Sequence, residues 1–385
     1  METKLNKRYP LEVADIIRYS RAELEQSRRL CAVQLKAMDA IESCRTVDAG
    51  GHLNRCNACG HQQPSYNSCR NRHCPKCQYI KQEQWVDKLK GRLIPGRYFH
   101  LVFTLPQELH PLYYINPEGC YDLLFQAAWE ALQNAGRNPA FLGADVGAVA
   151  VLHTWGQTLT YHPHVHLVVP AGGLSEDQVE WIRSPKKFFV PVKALSVMFR
   201  GIFVRYLRKL LDEKKLKLPK GFTGFLPLKE QLYQKNWNVY SKKAFGGMNS
   251  VLDYLGRYTH RVAITNNRLI SMDNGKVVFR YRNYRKGNQQ GCMQLEAVEF
   301  SRRFLQHILP SGFHKIRYFG LLATAHIHTK REQAISLVGK TIWLPQLEGL
   351  TAYEVLYLLT GRDPMRCPLC KKGLMMRIRG LRQVE

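Results

Sequence analysis

The sequence lacks several features that mark common classes of protein. It has no apolar run of the about 18 or more residues that a membrane-spanning helix requires, and its first residues contain no apolar stretch typical of a secretion signal. It has no internal repeat and no low-complexity tract, and its hydrophobic content of 45% is that of a globular protein. We therefore expect a folded cytoplasmic protein with no membrane partner.

Acidic residues are scarce compared with basic ones. The 385 residues include 57 Lys and Arg but only 30 Asp and Glu, which gives a formal net charge of +27. A charge of this size repels itself unless a polyanion compensates it. The imbalance favours nucleic acid as the partner over an anionic membrane or a ribosome.

The cysteines are expected to be reduced, because nothing in the sequence directs the chain to an oxidising compartment. Of the 11 cysteines, seven lie in close pairs or clusters. Four are scattered, and we expect core or chemically inert positions for them: Cys31, Cys44, Cys120 and Cys292.

Two Cys-x-x-Cys pairs, Cys56 with Cys59 and Cys74 with Cys77, flank residues 60–73. Each pair lets two thiolates approach one ion from a tight turn, and two such pairs complete the tetrahedron that zinc prefers. In so short and polar a segment, metal binding supplies much of the folding energy. The sequence therefore predicts a structural Zn²⁺ site in a small module.

Further ligand-type and basic residues surround these pairs. Four of them could build a second zinc site or contact phosphate: Cys69, His73, His52 and His61. Three cations beside the second pair suit contact with a DNA backbone, although a solvated surface has the same composition: Arg70, Arg72 and Lys76.

A third pair, Cys367 and Cys370, lies near the end of the chain and offers half of a metal site. Its partners could be His326 and His328, or residues of another chain, or there could be no metal. The basic stretch that follows either contacts DNA or is solvated.

Segments typical of strands and of helices interleave in the middle of the chain. Strands are predicted at 98–106, 146–155, 164–170, 276–284 and 295–300. Helices are predicted across 1–50, through 121–136, about 191–216 and roughly 241–260, and again after residue 302. We therefore expect an α+β fold.

Residues 279–287, which overlap the predicted strand 276–284, interleave arginine with Tyr281 and Tyr284. The pattern suits base stacking combined with phosphate contact. An edge strand with charged residues directed outward has the same pattern.

His164 and His166 flank Val165, so on a strand the two imidazoles project from one face while the valine enters the core. Two nitrogen ligands on a rigid strand suit Mg²⁺ or Mn²⁺ with open coordination positions, or zinc. A third ligand is needed, and the nearby candidates are Gln157, His153 and His162.

Tyr254 and Tyr258 lie four residues apart on a predicted helix and therefore on one face. Isolated tyrosines at this spacing are usually core residues. Here Arg257, His260 and Arg261 accompany them. A tyrosine nucleophile needs such cations to stabilise its phenolate, because a phenol ionises only at about pH 10.

The order of these parts, a zinc module, then FTLP, then HPHVH, then Tyr-x-x-x-Tyr, closely resembles the two-tyrosine HUH transposases of the rolling-circle insertion-sequence type, in which HUH denotes His-hydrophobic-His. The resemblance runs from about His52 to past Leu322. Three segments carry it: YNSCRNRHCPKCQ (66–78), HTWGQTLTYHPHVHLVVPAGG (153–173) and YLGRYTHRVAIT (254–265).

The resemblance implies roles for individual residues. His164 and His166 match the metal-binding histidines, and Tyr254 and Tyr258 match the nucleophile pair. The resemblance does not fix the third ligand for Mg²⁺ or Mn²⁺, for which we predict Gln157. In addition to the basic residues of the zinc module, Arg257 and Arg261 are expected to contact DNA. The implied fold is an antiparallel sheet with the histidine strand in the centre and helices packed against it.

The resemblance also implies the reaction. Such enzymes cut one strand of DNA, form a 5′-phosphotyrosine and leave a free 3′-hydroxyl, so that rejoining needs no ATP. The partners would be single-stranded DNA at the element ends and target, in the bacterial cytoplasm and nucleoid. No phosphate-binding GxxxxGK[ST] loop is present, so unwinding would come from host replication or helicase proteins.

Two other functions remain open at this point. A replication initiator or relaxase-like nickase uses the same chemistry, but it would carry a helicase or primase segment, and none is visible. A non-catalytic zinc-dependent DNA-binding protein would use the tyrosines and histidines for structure alone.

Four units are expected along the chain. They are a helical segment (1–50), a zinc-binding domain (51–95), the HUH catalytic domain (96–325) and a helical and basic region with the last Cys-x-x-Cys pair (326–385). The oligomeric state is left open.

Overall fold

A computed structural model describes residues 10–185, 188–245, 256, 263–283, 287, 289–339 and 343–381. The helices in these ranges are α1 (Val13–Ser27), α2 (Ala32–Ser43), α3 (Tyr79–Arg92), α4 (His110–Ile115), α5 (Pro117–Arg137), α6 (Val192–Asp212), α7 (Phe225–Gln234), α8 (Ala297–Leu305), α9 (Lys330–Val338) and α10 (Ala352–Thr360). Short 3₁₀ turns cover Val47–Ala49, Gln107–Leu109, Asn266–Arg268 and Thr324–His326.

The strands in the same ranges are β1 (Gly51–Cys56), β2 (Gln62–Tyr66), β3 (Tyr98–Thr104), β4 (Gly147–Trp155), β5 (Tyr161–Pro170), β6 (Gly172–Leu174), β7 (Trp181–Arg183), β8 (Val239–Phe245), β9 (Leu269–Asp273), β10 (Lys276–Asn283), β11 (Gln289–Glu296), β12 (Ile316–Gly320) and β13 (Met375–Leu381). The mixture of helices and antiparallel sheets confirms the predicted α+β class.

The central sheet has five strands in the order β12-β4-β5-β3-β8, all paired antiparallel. The histidine strand β5 is in the middle, as the family resemblance implied. Most of its residues are buried, because both faces of the sheet are covered. This explains why apolar residues alternate only weakly along β5.

The two faces of this sheet have different covers. On one face, Leu101, Val165 and Leu152 pack with α5 and α6 in a core rich in phenylalanine. On the other face, Val151 packs with Leu89 of α3 in a second cluster, which also includes residues of α9. Sheet side chains alternate between faces, so each strand contributes to both cores.

The amino-terminal helices pack against residues far along the chain. Ser20 of α1 shares a buried hydrogen bond with Ser301 of α8 (2.7 Å between hydroxyl oxygens), and the Val13 amide donates to Asn266 Oδ1 (3.1 Å). Apolar residues of α1 and α8 belong to one buried cluster. This cluster also contains Phe279 of β10, a strand of the three-stranded sheet β11-β10-β9. Residues predicted as a separate helical unit thus share a core with residues 263–305.

A third sheet joins the two ends of the described chain. Strand β13 pairs with β1, which also pairs with β2, in the order β13-β1-β2. The four units expected from the sequence stay a prediction, but this sheet connects the second unit with the fourth. None of the described helices combines the length and apolar character needed to cross a lipid bilayer.

Two secondary-structure predictions are wrong in the described residues. The helix expected from about residue 241 is a strand as far as Phe245, because Val239–Phe245 pairs with β3 as an edge of the central sheet. The strand expected at 295–300 becomes α8 from Ala297 onward. There, Ala297, Phe300 and Phe304 are buried together at helical spacing, so tertiary packing decided the local structure.

One buried carboxylate fixes the segment before α10 to α3. Asp87 accepts hydrogen bonds from Trp343 Nε1 (3.0 Å), the Gln346 amide (2.6 Å) and the Leu347 amide (2.7 Å). Asp87 is only 5% exposed, so water cannot replace these contacts.

We predict that Asp87→Ala lowers the free energy of unfolding by about 3 kcal/mol, because three buried donors lose their acceptor. Urea denaturation followed by circular dichroism measures this. Glu176→Ala, which removes an exposed loop carboxylate, is the matched control and should change stability by less than about 0.5 kcal/mol. Equal stability of the two variants would contradict the assignment of Asp87 as an anchor.

Candidate metal centres and catalytic site

Three imidazoles lie together on one face of the central sheet. His153 on β4 is directly opposite His164 on β5, and His166 follows on the same face two residues later. One ring nitrogen from each of the three lies within 4.8 Å of the others. We call His153, His164 and His166 the imidazole cluster.

Hydrogen bonds fix the orientation of two of these rings. His166 Nδ1 lies 2.8 Å from His100 Nε2, and the two rings are stacked at 6°. His164 Nδ1 donates to the carbonyl oxygen of His162 (2.7 Å). In each ring Nδ1 is engaged, so Nε2 is the nitrogen that would face an ion.

The environment of His164 favours its uncharged form. Burial lowers the pKa of His164 to about 4, with the nearby His162 adding to the shift. His153 and His166 are 4% and 7% exposed. Neutral imidazoles bind metal ions, and three protein ligands leave coordination positions for substrate and water, so the residues present fit a catalytic divalent cation.

Of the three candidates for a third ligand, the structure brings His153 into the cluster. His162 lies on β5 with its ring centroid 5.2 Å from that of His164, but it does not belong to the group of three. Gln157 lies in the turn between β4 and β5, where its backbone carbonyl accepts a hydrogen bond from Arg268 (2.5 Å). A ligand role for Gln157 stays a prediction.

The predicted nucleophiles Tyr254 and Tyr258, with Arg257 and Arg261, lie outside the described residues. Gly256, between the tyrosines, is described and buried, and a Cβ built on it would lie 2.9 Å from Val86 Cγ2 of α3.

Helix α3 covers the face of the sheet that carries the imidazole cluster. Leu89 of α3 packs in one cluster with Val151, and Val151 is paired with His166 across β4 and β5. Gly256 contacts the same helix, so it lies on the cluster's side of the sheet.

The cysteines form two groups of four, and the structure corrects the predicted pairing. Cys74 and Cys77 meet Cys69 and Cys44, whereas Cys56 and Cys59 lie in a different group. Cys44, expected at a core or chemically inert position, is buried and is also a member of a potential metal site at the end of α2. Local sequence could not show this, because Cys44 has no neighbouring ligand residue.

The first group, Cys44, Cys69, Cys74 and Cys77, has the dimensions of a zinc site. Cys69 Sγ and Cys77 Sγ are 3.7 Å apart, close to the edge of about 3.8 Å that four Zn–S bonds of about 2.3 Å produce. Hydrogen bonding with the neighbouring thiols lowers the pKa of Cys44 to about 7, which favours the thiolate. The donor set fits Zn²⁺.

The second group joins Cys56 and Cys59 to Cys367 and Cys370. The Sγ atoms of Cys56 and Cys370 are 3.7 Å apart, as are those of Cys59 and Cys367. The sequence had left His326, His328, another chain or no metal as possibilities for the last pair. The structure instead places Cys56 and Cys59 beside this last pair.

Backbone amides support this second group. The Gly373 amide donates to Cys370 Sγ (3.4 Å), and such bonds lower the pKa of Cys370 to about 6. A Cβ on Gly373 would lie 2.5 Å from Cys56 Sγ, so only glycine leaves room for the cluster at this position. The four thiols fit a second zinc ion.

The remaining residues of the predicted zinc module have structural contacts. His73 is outside both cysteine groups, and its Nε2 accepts from the Leu309 amide (3.3 Å). Arg72 donates to the carbonyls of Pro310 and Phe313 (2.5 Å each). These contacts attach the first cysteine group to the segment that leads into β12.

The predicted DNA contacts near the module differ in accessibility. Lys76 pairs with Glu12 (2.5 Å) and donates to the Cys44 carbonyl, with little exposed surface on its side chain. Arg70 is exposed, in a left-handed backbone conformation with φ of 56°. A DNA contact stays a prediction for all three cations, and the structure favours Arg70 because Arg72 and Lys76 are engaged within the chain. His52 and His61 belong to neither cysteine group.

Comparison with known proteins agrees with this arrangement. Residues 16–105 match the family model described as "Transposase zinc-binding domain" of the IS91 type, and residues 147–331 match the one described as "Putative transposase". The first match contains the first cysteine group, and the second contains the imidazole cluster. No solved structure matches the chain.

Two relatives match almost the whole chain. A protein of Sinorhizobium fredii named "Putative transposase y4qJ" is 44% identical over 379 residues, which cover 95% of this chain and 94% of that protein. The "Transposase for insertion sequence element IS801" of Pseudomonas savastanoi pv. phaseolicola is 32% identical over 371 residues, covering 91% and 84%. The chain therefore belongs to the IS91-type family of insertion-sequence transposases, which carry a transposase zinc-binding domain.

Proposed function

We propose that this transposase nicks and rejoins single-stranded DNA at the ends of its element through a 5′-phosphotyrosine intermediate, in a rolling-circle type of transposition. The observation that supports the proposal most strongly is the imidazole cluster, which places three nitrogen ligands together on a rigid sheet inside the matched transposase region. His153, His164 and His166 would hold Mg²⁺ or Mn²⁺. When bound, such a cation polarises the scissile phosphate and stabilises charge on its oxygens.

The protein's residues supply position and the nucleophile. His100 and the His162 carbonyl hold two of the ligand rings in fixed orientations, so the cluster needs little rearrangement when DNA binds. The oxygen of Tyr254 or Tyr258 attacks phosphorus and forms the Tyr–O–P bond. The P–O3′ bond breaks, and the proton lost by the phenol is balanced by the proton that the 3′-oxygen gains.

Rejoining reverses these steps, because a 3′-hydroxyl attacks the phosphotyrosine and releases the phenol. A pair of tyrosines lets one active site accept a second strand before it releases the first. The proposal requires the two tyrosines to act on the side of the sheet that bears the imidazole cluster. Gly256, which lies between them in sequence, is buried against α3, and α3 covers that side of the sheet, which supports the proposal. Strand separation would come from host replication or helicase proteins.

We further infer that the two cysteine groups each bind one structural Zn²⁺. The S–S separations and the amide donors match tetrahedral thiolate sites, as described above. The first ion fixes the end of α2 to the loop before α3, and the second fixes β13 to the β1–β2 hairpin. Around the second group the apolar cluster is small, so metal binding would stabilise this region, whereas Cys44 and Cys74 of the first group belong to a larger apolar cluster.

The covalent intermediate gives the first prediction. Purified protein mixed with labelled single-stranded DNA from the ends of its own element, with Mg²⁺ or Mn²⁺, should give a covalent adduct on a denaturing gel. Tyr254→Phe/Tyr258→Phe removes the phenols and should abolish the adduct. His164→Ala removes a metal ligand and should reduce adduct formation at least about a hundredfold.

Tyr240→Phe is the matched control for this experiment. Tyr240 is an exposed tyrosine of β8 in the same sheet, 58% accessible, and its loss should leave the adduct unchanged. An adduct that persists in the double tyrosine variant would contradict the assignment of the nucleophiles. Intact DNA binding without any adduct in the unaltered protein would support a non-catalytic role instead.

The zinc content gives a second prediction. Elemental analysis of the purified protein should find two zinc ions per chain. Cys74→Ser/Cys77→Ser and Cys367→Ser/Cys370→Ser should each leave one, because each pair belongs to a different group. Cys31→Ser, an exposed cysteine outside both groups, should leave two. A single zinc ion in the unaltered protein, lost in both paired variants, would show instead that the two pairs share one site.

A further inference from the structure

Strands β10 and β11 form a ribbon with one face toward solvent. Strand β9 pairs with β10 only along residues 276–279, so the part of the ribbon that contains Arg280 and Arg282 is two-stranded. On that face, Lys276 and Glu296 are exposed at one end, and five residues are exposed along the rest of the ribbon: Arg280 and Arg282 of β10, and Gln290, Cys292 and Gln294 of β11. Arg280 is paired with Cys292, and Arg282 with Gln290. We call these five residues the outer face of the ribbon.

The charges of the outer face are not balanced by neighbouring carboxylates. Within the described parts of the chain, neither Arg280 nor Arg282 takes part in an ion pair. Other arginines of this protein do have such partners, since Arg302 and Arg303 share Glu299. Nearby acidic residues would stabilise a solvated strand that carries arginines. The same acidic residues would weaken the binding of phosphate to such a strand.

Acidic residues are confined to the other end of the ribbon. Lys276, the first residue of β10, is in register with Glu296 of β11 and with Asp273 of β9. The positive charge is therefore concentrated at the end that contains Arg280 and Arg282. The distribution suits a polyanion that approaches this end.

The inner face of the ribbon is anchored in the protein core. Val277 and Phe279 are fully buried, and Phe279 packs edge-on against Phe300 of α8 with ring centroids 5.7 Å apart. A ribbon that is fixed on one side presents its outer residues in a defined geometry. A bound ligand then orders few additional side chains.

Arg268 connects the ribbon to the catalytic sheet. Its Nε donates to the backbone carbonyl of Arg280 (2.8 Å), and its Nη2 donates to that of Gln157 (2.5 Å). Gln157 lies in the turn that separates His153 from His164. A nucleic acid on the outer face would thus be held at a fixed position relative to the imidazole cluster.

We propose that the outer face of the ribbon binds duplex DNA next to the single strand that is cut. A two-stranded β-ribbon fits the major groove, where arginine pairs with guanine and glutamine with adenine, and arginine also contacts phosphate. The proposal rests on the proposed function for the cut strand, but duplex binding can be measured without cleavage. It assigns recognition of a base-paired segment to β10 and β11, apart from the cleavage chemistry.

The test compares two variants on two DNA probes by fluorescence anisotropy. The probes are a duplex of about 20 base pairs taken from the element ends and one of its strands alone. Arg280→Gln/Arg282→Gln should weaken duplex binding at least about tenfold, because two phosphate or base contacts are lost. The slope of log K against the logarithm of the salt concentration should become smaller in magnitude by about two. Binding of the single strand should change less than about threefold.

Arg183→Gln is the matched control, because Arg183 is also an exposed strand arginine, at the end of β7. It should leave both affinities unchanged. Duplex affinity of the double variant within twofold of the unaltered protein would overturn the proposal, and so would an equal loss on the single strand.

A second measurement uses the unaltered protein and needs no variant. Cys292 on the outer face and Cys31 before α2 are both exposed. Duplex DNA should slow alkylation of Cys292 at least about fivefold, by excluding solvent from the groove contact, and should leave Cys31 unchanged. Equal rates at Cys292 with and without duplex would overturn the proposal. Adduct formation on single-stranded DNA is scored separately, so failure of the cleavage chemistry would not be confused with failure of the ribbon.

Discussion

The register between β4 and β5 is the constraint on which the proposed chemistry depends. It pairs His153 with His164 and Val151 with His166, and so places three imidazoles on one face of the sheet. A shift of one residue in either strand would direct its histidines toward the opposite core, where Val165 and Leu152 pack against helices. The apolar residues of that core thus specify the geometry of the metal ligands.

The cysteine groups extend this constraint to distant parts of the chain. The first group is attached through Arg72 and His73 to the segment before β12, the edge strand that pairs with β4. The second group links β13 to the β1–β2 hairpin across more than 300 residues of sequence, as the separation of 314 residues between Cys56 and Cys370 shows. At the second group, where the apolar cluster is small, a bound zinc ion would take the place of an apolar core.

The sequence predicted those parts whose signal is local. The Cys-x-x-Cys pairs and the His164–His166 spacing follow from residue spacing within one element, and the central position of β5 follows from the resemblance to the HUH transposases. What depends on tertiary contact was not accessible. Spacing identifies pairs of ligands but not which pairs meet, so Cys56 and Cys59 were assigned to the wrong partners, and Cys44 gave no signal. That His153 lies beside His164 and His166 depends on the strand register, which the spacing of the three histidines does not give.

The most direct test of the account is calorimetric titration of the zinc-loaded protein with Mn²⁺ in the absence of DNA. We expect one additional Mn²⁺ site, whose affinity falls at least about tenfold in His153→Ala and in His166→Ala. His328→Ala, which removes an exposed histidine outside the cluster, should bind Mn²⁺ as the unaltered protein does. Unchanged Mn²⁺ affinity in His153→Ala and His166→Ala would contradict the assignment of the imidazole cluster as the catalytic metal centre.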